Sequence, residues 1–348
     1  MEKIRLGKTD MLVSRLGFGG IPIQRLSEDD AVAVVKRCLD LGITFLDTAN
    51  GYTTSEERIG KAIAGRREEV VIATKSLSRK REGTEKHLNL SLERLNVKYI
   101  DLYQFHGISD EASLDMILAP DGPLAFAEKA RDKGLIKHIG ITSHQIDVAK
   151  EAVASDHFET IMFPFNFVTS EAADELIPLA RKHDVGFIAM KPLAGGMIDN
   201  ARIAFKYLFQ FPDIVTIPGI ERVSEIEEIV RVLADSKTVT AAEKKEMQKL
   251  KDELGTRFCH RCDYCQPCDE GIMISNVMAY PGLRRRIPPE RLFGGPWGQM
   301  VEKAATCTEC GECEEKCPYD LPIRELLAEY VKEYRKDLRR YQKTQPPA

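Results

Sequence analysis

Three apolar stretches, almost evenly spaced, each close on a residue able to do chemistry. FLDTANGY (Phe45 to Tyr52) reads as a short strand ending in Asp47, then a turn that carries Tyr52. VVIATK (Val70 to Lys75) ends in a lysine, and YIDLYQFH (Tyr99 to His106) ends in a histidine. Asp47 and Lys75 are 28 residues apart and Lys75 and His106 are 31 apart, each step close to one β-plus-α unit. In a parallel barrel, successive strands deliver their last residues to one face, where catalysis sits. Asp47, Lys75 and His106 are therefore expected to converge, with Tyr52 beside them.

Strand-type and helix-type segments keep alternating along the chain. KHIGIT, TIMFPF, GFIAM and IVTIPG read as further strands, with helices expected to about Ala154, from Ser170, over Ala201 to Phe209 and over Val223 to Leu233. Eight such units favour a (β/α)8 barrel. A doubly wound sheet is the rival, but Phe18-Gly19-Gly20 does not meet the G-x-G-x-x-G pattern expected after its first strand. Residues 4–13 read as a hairpin turning at Gly7–Asp10, a lid on the barrel floor. Ser27 is placed to cap a helix that Gly42 ends, and Cys38 falls on its apolar stripe as a core thiol.

LGKTDMLVSRLGFGG (Leu6 to Gly20), FLDTANGY, SEERIGKAI (Ser55 to Ile63), the Thr74-Lys75 pair and SLERLNVKYIDLYQFH (Ser91 to His106) follow one another in an order that resembles the aldo-keto reductase family. The resemblance covers roughly Met1 to Val239 and implies that Asp47, Tyr52, Lys75 and His106 form a catalytic tetrad. The residue types suit the task. A phenol with an ordinary pKa of about 10 is a poor acid at neutral pH, and a nearby ammonium favours its phenolate and eases proton exchange. Asp47 would hold Lys75 charged, and His106 would orient the substrate oxygen.

The resemblance also implies a nicotinamide cofactor, NAD(P)H, bound after the later strands. Ser143 matches, His144 stands where Asn is usual, Met162 stands where Gln is usual, and Asn166 fits. Met190 replaces a stacking aromatic, whereas Lys191, Leu193 and Gly195 belong to the loop that approaches the pyrophosphate, where glycine permits close backbone contact. Gly219 and Arg222 lie in the segment expected to meet the adenosine. Arg222 is there among four glutamates between Glu221 and Glu228, which leaves NADH, weakly bound NADPH or another redox partner open.

Of nine cysteines, eight lie between Cys259 and Cys317. CTECGECEEKCP (Cys307 to Pro318) has the C-x2-C-x2-C-x3-C-P spacing of bacterial ferredoxins, and CHRCDYCQPC (Cys259 to Cys268) is a shortened version. Two all-thiolate zinc sites would also use eight cysteines, but triplets at x2 spacing suit cubanes better than paired CxxC units do. Resemblance to ferredoxin-type extensions implies two 4Fe–4S clusters, one on Cys259, Cys262, Cys265 and Cys317, the other on Cys307, Cys310, Cys313 and Cys268.

The expected architecture is thus a (β/α)8 TIM barrel over 1–239, a helical linker over 240–256, and a mostly α-helical, ferredoxin-like Fe–S domain over 257–348. A net charge of −4 gives no reason to expect nucleic acid, and no apolar run is long enough to span a bilayer or serve as a signal peptide. Cytoplasmic location is the expectation. The implied activity is reduction of a small-molecule carbonyl, or oxidation of the alcohol. A ferredoxin or flavoprotein is the redox partner such clusters imply. Clusters move single electrons and a nicotinamide moves a hydride, so coupling the two needs a flavin or a substrate that tolerates a radical. Two rivals stand beside it: an electron-transfer protein whose barrel is a binding scaffold or uses a non-nicotinamide redox partner, and a reductase with purely structural clusters.

Overall fold

Ten strands carry the N-terminal unit: β1 (Lys3–Arg5), β2 (Leu12–Ser14), β3 (Phe18–Gly19), β4 (Phe45–Asp47), β5 (Val71–Ser76), β6 (Ile100–Phe105), β7 (Ile136–Thr142), β8 (Thr160–Pro164), β9 (Gly186–Met190) and β10 (Ile214–Ile217). β3 to β10 pair in sequence order, all parallel. Gly17 N–H donates to Thr216 C=O at 2.8 Å, Thr216 N–H to Arg15 C=O at 3.0 Å and Gly19 N–H to Pro218 C=O at 2.8 Å, which brings the two ends of the sheet together. The computed structural model that shows this describes residues 1–235, 238–255, 257–261, 263–285 and 287–344. Within it the chain divides into Met1–Glu243 and Lys244–Ala348.

A helix follows every barrel strand, as a right-handed crossover requires. The first, Glu28–Asp40, starts where the Ser27 hydroxyl accepts from the Asp30 N–H, and the chain leaves it through Gly42 at φ +83°. Cys38 is fully buried there, and burial pushes its thiol up to about 12, which makes it an inert core group. After β6 the chain forms two helices, Glu111–Leu118 and Pro123–Asp132, where the sequence pattern predicts one, near Leu124 to Lys133. The extra one has eight residues, too short for a clear period, and its start is set by Asp110 accepting from the Ser113 N–H.

The barrel interior is filled by Phe45, Ala73, Leu102, Met162, Ile188, Val215 and Ile217. Leu6 and Val13 from the hairpin complete the same cluster. Gly7 makes the hairpin's seat possible: at φ +52° it lies so close to β9 that a Cβ would stand 2.2 Å from the Gly186 nitrogen. The hairpin thus closes the end where β9 begins, the floor. Leu6 is fully buried, so its truncation to Ala should cost about 2–5 kcal/mol.

The second unit builds a separate core from short helices, Ile274–Met278, Tyr280–Leu283, Pro289–Phe293 and Pro296–Lys303, and the long terminal helix Ile323–Thr344. Six Lys or Arg against two acidic residues between Val331 and Lys343 predict a frayed, solvated end for that last helix rather than a dock for an acidic partner, and the structure carries the helix through to Thr344. Tyr334 is buried, Asp337 accepts from Tyr280 Oη at 2.8 Å and pairs with Arg284, and Arg335 pairs with Glu302. Apolar residues spaced at helical intervals, not the charge count, decide its docking.

Candidate active site and cysteine centre

Strand parity aims the site. Side chains alternate across a strand, so the interior position of Phe45 sends Asp47 inward, Ala73 sends Lys75 inward, and Leu102 sends Gln104 inward and aims His106, just past the strand end, the same way. All stand at or near the C-terminal strand ends. Lys75 and Asp47 are 1% and 3% exposed, and Lys75 Nζ donates to Asp47 Oδ1 at 2.6 Å and to the Thr48 C=O at 2.7 Å.

Tyr52 arrives by a braced turn. Thr48 N–H donates to Ala73 C=O, Asn50 N–H to Lys75 C=O, and Tyr52 N–H to Ala49 C=O, while the Thr48 hydroxyl reaches Ser55 Oγ at 2.9 Å. The Tyr52 ring meets His106 edge-on, centroids 5.7 Å apart at 81°, and Lys75 Nζ lies 5.0 Å from the Tyr52 centroid. The four residues named from the sequence are therefore in one place.

Burial pulls Lys75 down, but Asp47 and Tyr52 push it further up, and the net direction is up. Burial pushes Asp47 up as well, against Lys75 and Gln104. The two directions disagree about the state of Asp47, and the hydrogen bonds decide for the ion pair. Both Asp47 oxygens face donors, Lys75 at Oδ1 and Gln104 Nε2 at Oδ2 (3.3 Å), so a carboxyl proton would have no acceptor there.

Two supports escaped sequence reading. Gln104 is fully buried under Asp47, and only its parity with His106 hinted at it. Arg79 donates to the carbonyls of Leu77, His106 and Gly107 at 3.1, 3.0 and 2.7 Å and so ties the loops after β5 and β6 together. Its burial pulls it down from the ordinary arginine range. An arginine in a polar loop carries no sequence signal for that task.

The cofactor candidates line the same rim, after β7 to β10. Ser143 is buried, with its hydroxyl donating to Gln145 C=O and accepting from Gln145 N–H, both at 3.0 Å, and His144 beside it is half-buried. Asn166 gives Nδ2 to Lys191 C=O at 3.0 Å and takes the N–H groups of Val168 and Thr169 on Oδ1, so its amide serves to hold the loop. Met162 is inside the barrel core. Lys191 (φ +55°), Ala194, Gly195 and Gly196 (φ +92°) wind left-handed, and Leu193 C=O accepts from the Gly196 N–H at 2.7 Å. Gly219 sits against Pro22, where a Cβ would stand 2.7 Å from its ring. Arg222 is exposed and paired with Glu225 at 2.7 Å. The Glu225 carboxylate also accepts from the N–H groups of Glu221 and Arg222 at 2.8 and 3.1 Å.

In the second unit seven of the eight clustered cysteines lie among the described residues, and the expectation for Cys262 lies outside them. Cys259, Cys265 and Cys317 line one small void, together with His260, Ile274, Leu321 and others. Cys317 of the downstream motif thus stands with the upstream one. Both motifs curl alike: Arg261 (φ +65°) turns its N–H to Cys259 Sγ, and Glu309 (φ +57°) turns its own to Cys307 Sγ, each at 3.4 Å. Amides aimed at sulfur stabilise thiolate ligands, so these residues fit an iron–sulfur group. Cys310 is exposed; Cys313 is half-buried, its thiol pushed up to about 11 by burial and by Glu314, Cys307 and Cys310.

A parallel barrel with an acid–cation–phenol–imidazole rim, joined to a cysteine-rich helical unit, defines an oxidoreductase with an iron–sulfur module. Comparison with known proteins agrees. Residues 15–203 match the aldo/keto reductase family and residues 258–322 match a 4Fe-4S dicluster domain. The protein described as uncharacterized oxidoreductase YqkF of Bacillus subtilis is 32% identical over 212 residues, 57% of this chain and 67% of that one. L-galactose dehydrogenase of Arabidopsis thaliana is 33% identical over 218 residues, again 57% and 67%. The holo form of aldo-keto reductase AKR11C1 from Bacillus halodurans superposes with a TM-score of 0.63 at 26% identity, covering 72% of this chain and 96% of that one. The chain belongs to the aldo/keto reductase family and carries a C-terminal 4Fe-4S dicluster domain. No described helix is long and apolar enough to cross a membrane.

Proposed function

We propose that this protein reduces a small-molecule carbonyl, or oxidises the matching alcohol, at the rim above Asp47. The observation that carries this is the meeting of the Tyr52 and His106 rings with the buried Lys75–Asp47 pair. Tyr52 gives its phenolic proton to the substrate oxygen. Lys75 stabilises the negative charge left on Tyr52, Asp47 keeps Lys75 cationic and fixed, and His106 orients the oxygen between the two rings. A nicotinamide, when bound, would supply the hydride. Ser143, Lys191, Leu193, Gly195, Gly219 and Arg222 are the residues that would hold it, with the left-handed turn after β9 offering backbone to its phosphates.

Two 4Fe–4S clusters complete the reading, on Cys259, Cys262, Cys265 and Cys317, and on Cys268, Cys307, Cys310 and Cys313. Their exchange of one cysteine each is supported by Cys317 sharing a void with Cys259 and Cys265. A ferredoxin or flavoprotein is the proposed redox partner. One observation favours the rival in which the barrel uses another redox partner: Met162 offers no amide to a carboxamide, and the Oδ1 and one Nδ2 hydrogen of Asn166 are engaged by its own loop and Lys191.

The test is carbonyl reduction by anaerobically purified protein with NADH and with NADPH, comparing wild type with Tyr52→Phe. Loss of one general acid should lower kcat about 100-fold or more while the melting temperature stays put. Equal rates would remove Tyr52 as the acid.

A further inference from the structure

One row of residues runs from the reaction site across the inner wall of the barrel. Lys75 pairs with Gln104, Gln104 with Gly140, and Gly140 with Thr160. Cα partners in a parallel sheet point to the same face, and the interior positions of Leu102 and Met162 put Gln104 and Thr160 inward too. Both are fully buried. The Gln104 amide must turn Nε2 to Asp47, because the reverse would set oxygen against oxygen. Its Oε1 is then directed elsewhere and, among the described residues, has no hydrogen-bond partner. Thr160 Oγ1 has none either.

Gly140 lies between them. A Cβ there would stand 3.2 Å from Gln104 Cγ and 2.2 Å from Thr160 Oγ1. The Gln104 stem and the Thr160 hydroxyl therefore both border the space over a bare Cα, and Gln104 Oε1 and Thr160 Oγ1 do not bond each other, one an acceptor, the other able to donate and accept. Buried polar groups of this kind are almost always satisfied, and a polar site between two of them suits an internal water.

We propose that one ordered water bridges Gln104 Oε1 and Thr160 Oγ1 over Gly140, and that Gln104, so held, is a positioning residue for the Asp47–Lys75 pair. The row then forms a continuous brace: Thr160 holds the water, the water holds the Gln104 amide, and Gln104 holds the Asp47 oxygen that Lys75 does not use. Asp47 is fixed from two sides, and Lys75 keeps its place against Tyr52. The water site stands on geometry alone, whereas the positioning role rests on Tyr52 being the proton donor.

A high-resolution crystal structure of the full chain should show water density within hydrogen-bond distance of both atoms; a direct Gln104–Thr160 bond, or no density, overturns the bridge. Gln104→Leu and Thr160→Val should each lower the melting temperature, and the double variant should melt no lower than the worse single one. Strictly additive losses count against the bridge. Neither readout needs turnover, so both remain decisive if the reductase reading fails. In turnover, both variants should lower kcat about tenfold, the effect of one lost hydrogen bond, with KM nearly unchanged. Thr160→Ser, which keeps the hydroxyl, should restore kcat. A kcat unchanged in Thr160→Val, or lost equally in Thr160→Ser, overturns the positioning role, and this pair carries the test even where Gln104→Leu does not fold.

Discussion

In the barrel, the interior cluster from Leu6 to Ile217 contains none of the four rim residues, and Asp47 and Lys75 stabilise each other above it. In the C-terminal unit most of the described sulfurs belong to the core or pack against it. Cys265 is buried with Ile272, Ile274 and Leu321, and Cys259, Cys268, Cys307, Cys313 and Cys317 pack against the same cluster. A site placed on a finished core can lose its function without losing the fold. A site whose ligands are core residues cannot, because ligand binding is then part of the folding free energy.

The hardest blow to this contrast is iron removal. Chelation from the intact protein should abolish most of the helical signal and protease resistance of residues 257–344, while the barrel keeps its own melting transition. Retention of both units' structure without iron would erase the distinction. Next in size is Lys75→Met, which leaves Asp47 buried without its cation and should cost about 3–5 kcal/mol, read as a fall in the barrel transition with the iron–sulfur absorbance unchanged.

A smaller effect concerns the cofactor. Glu225 already occupies the N-terminus of the Val223–Ala234 helix and pairs Arg222, and burial pushes the nearby Glu221 carboxyl up against the pull of Arg25. A 2′-phosphate would meet carboxylates there, so NADH should bind about tenfold tighter than NADPH, as fluorescence titration would show. Tighter NADPH would contradict it.

The smallest expected effect is at the barrel's last helical contact. Glu243 bonds buried Lys206 at 2.7 Å, and that bond, first among its causes, holds its carboxyl down at about 2. A depressed carboxylate contributes fully above its unfolded pKa of about 4.3 and loses that contribution as pH falls through its folded value. Glu243→Gln should thus melt below wild type at pH 7, with the gap closing between about pH 4.5 and 2. A gap constant with pH would show that the ion pair is not its origin.

Much of the site was legible because it depends on short-range regularities. Asp47, Lys75 and His106 could be named from strand ends recurring at the length of one βα unit. The ferredoxin-type spacing of Cys307 to Cys317 needs no partner to be recognised. The type and place of Asn166 fit a cofactor contact, while its Oδ1 and one Nδ2 hydrogen are engaged by Val168, Thr169 and Lys191, which no local pattern announces. The first helix after β6, Glu111–Leu118, is too short to show a period, and the terminal helix docks through Tyr330, Val331 and Tyr334 despite its basic charge.

Local order in the chain determined the alternation of strand and helix, the residue types delivered to the strand ends and the grouping of thiols. Each of these follows from neighbours a few positions apart. Register between distant strands decided the rest: Gln104 beneath Asp47 and Gly140 opposite Thr160. Which buried polar atoms find partners is a property of non-local packing, and no spacing along one segment encodes it.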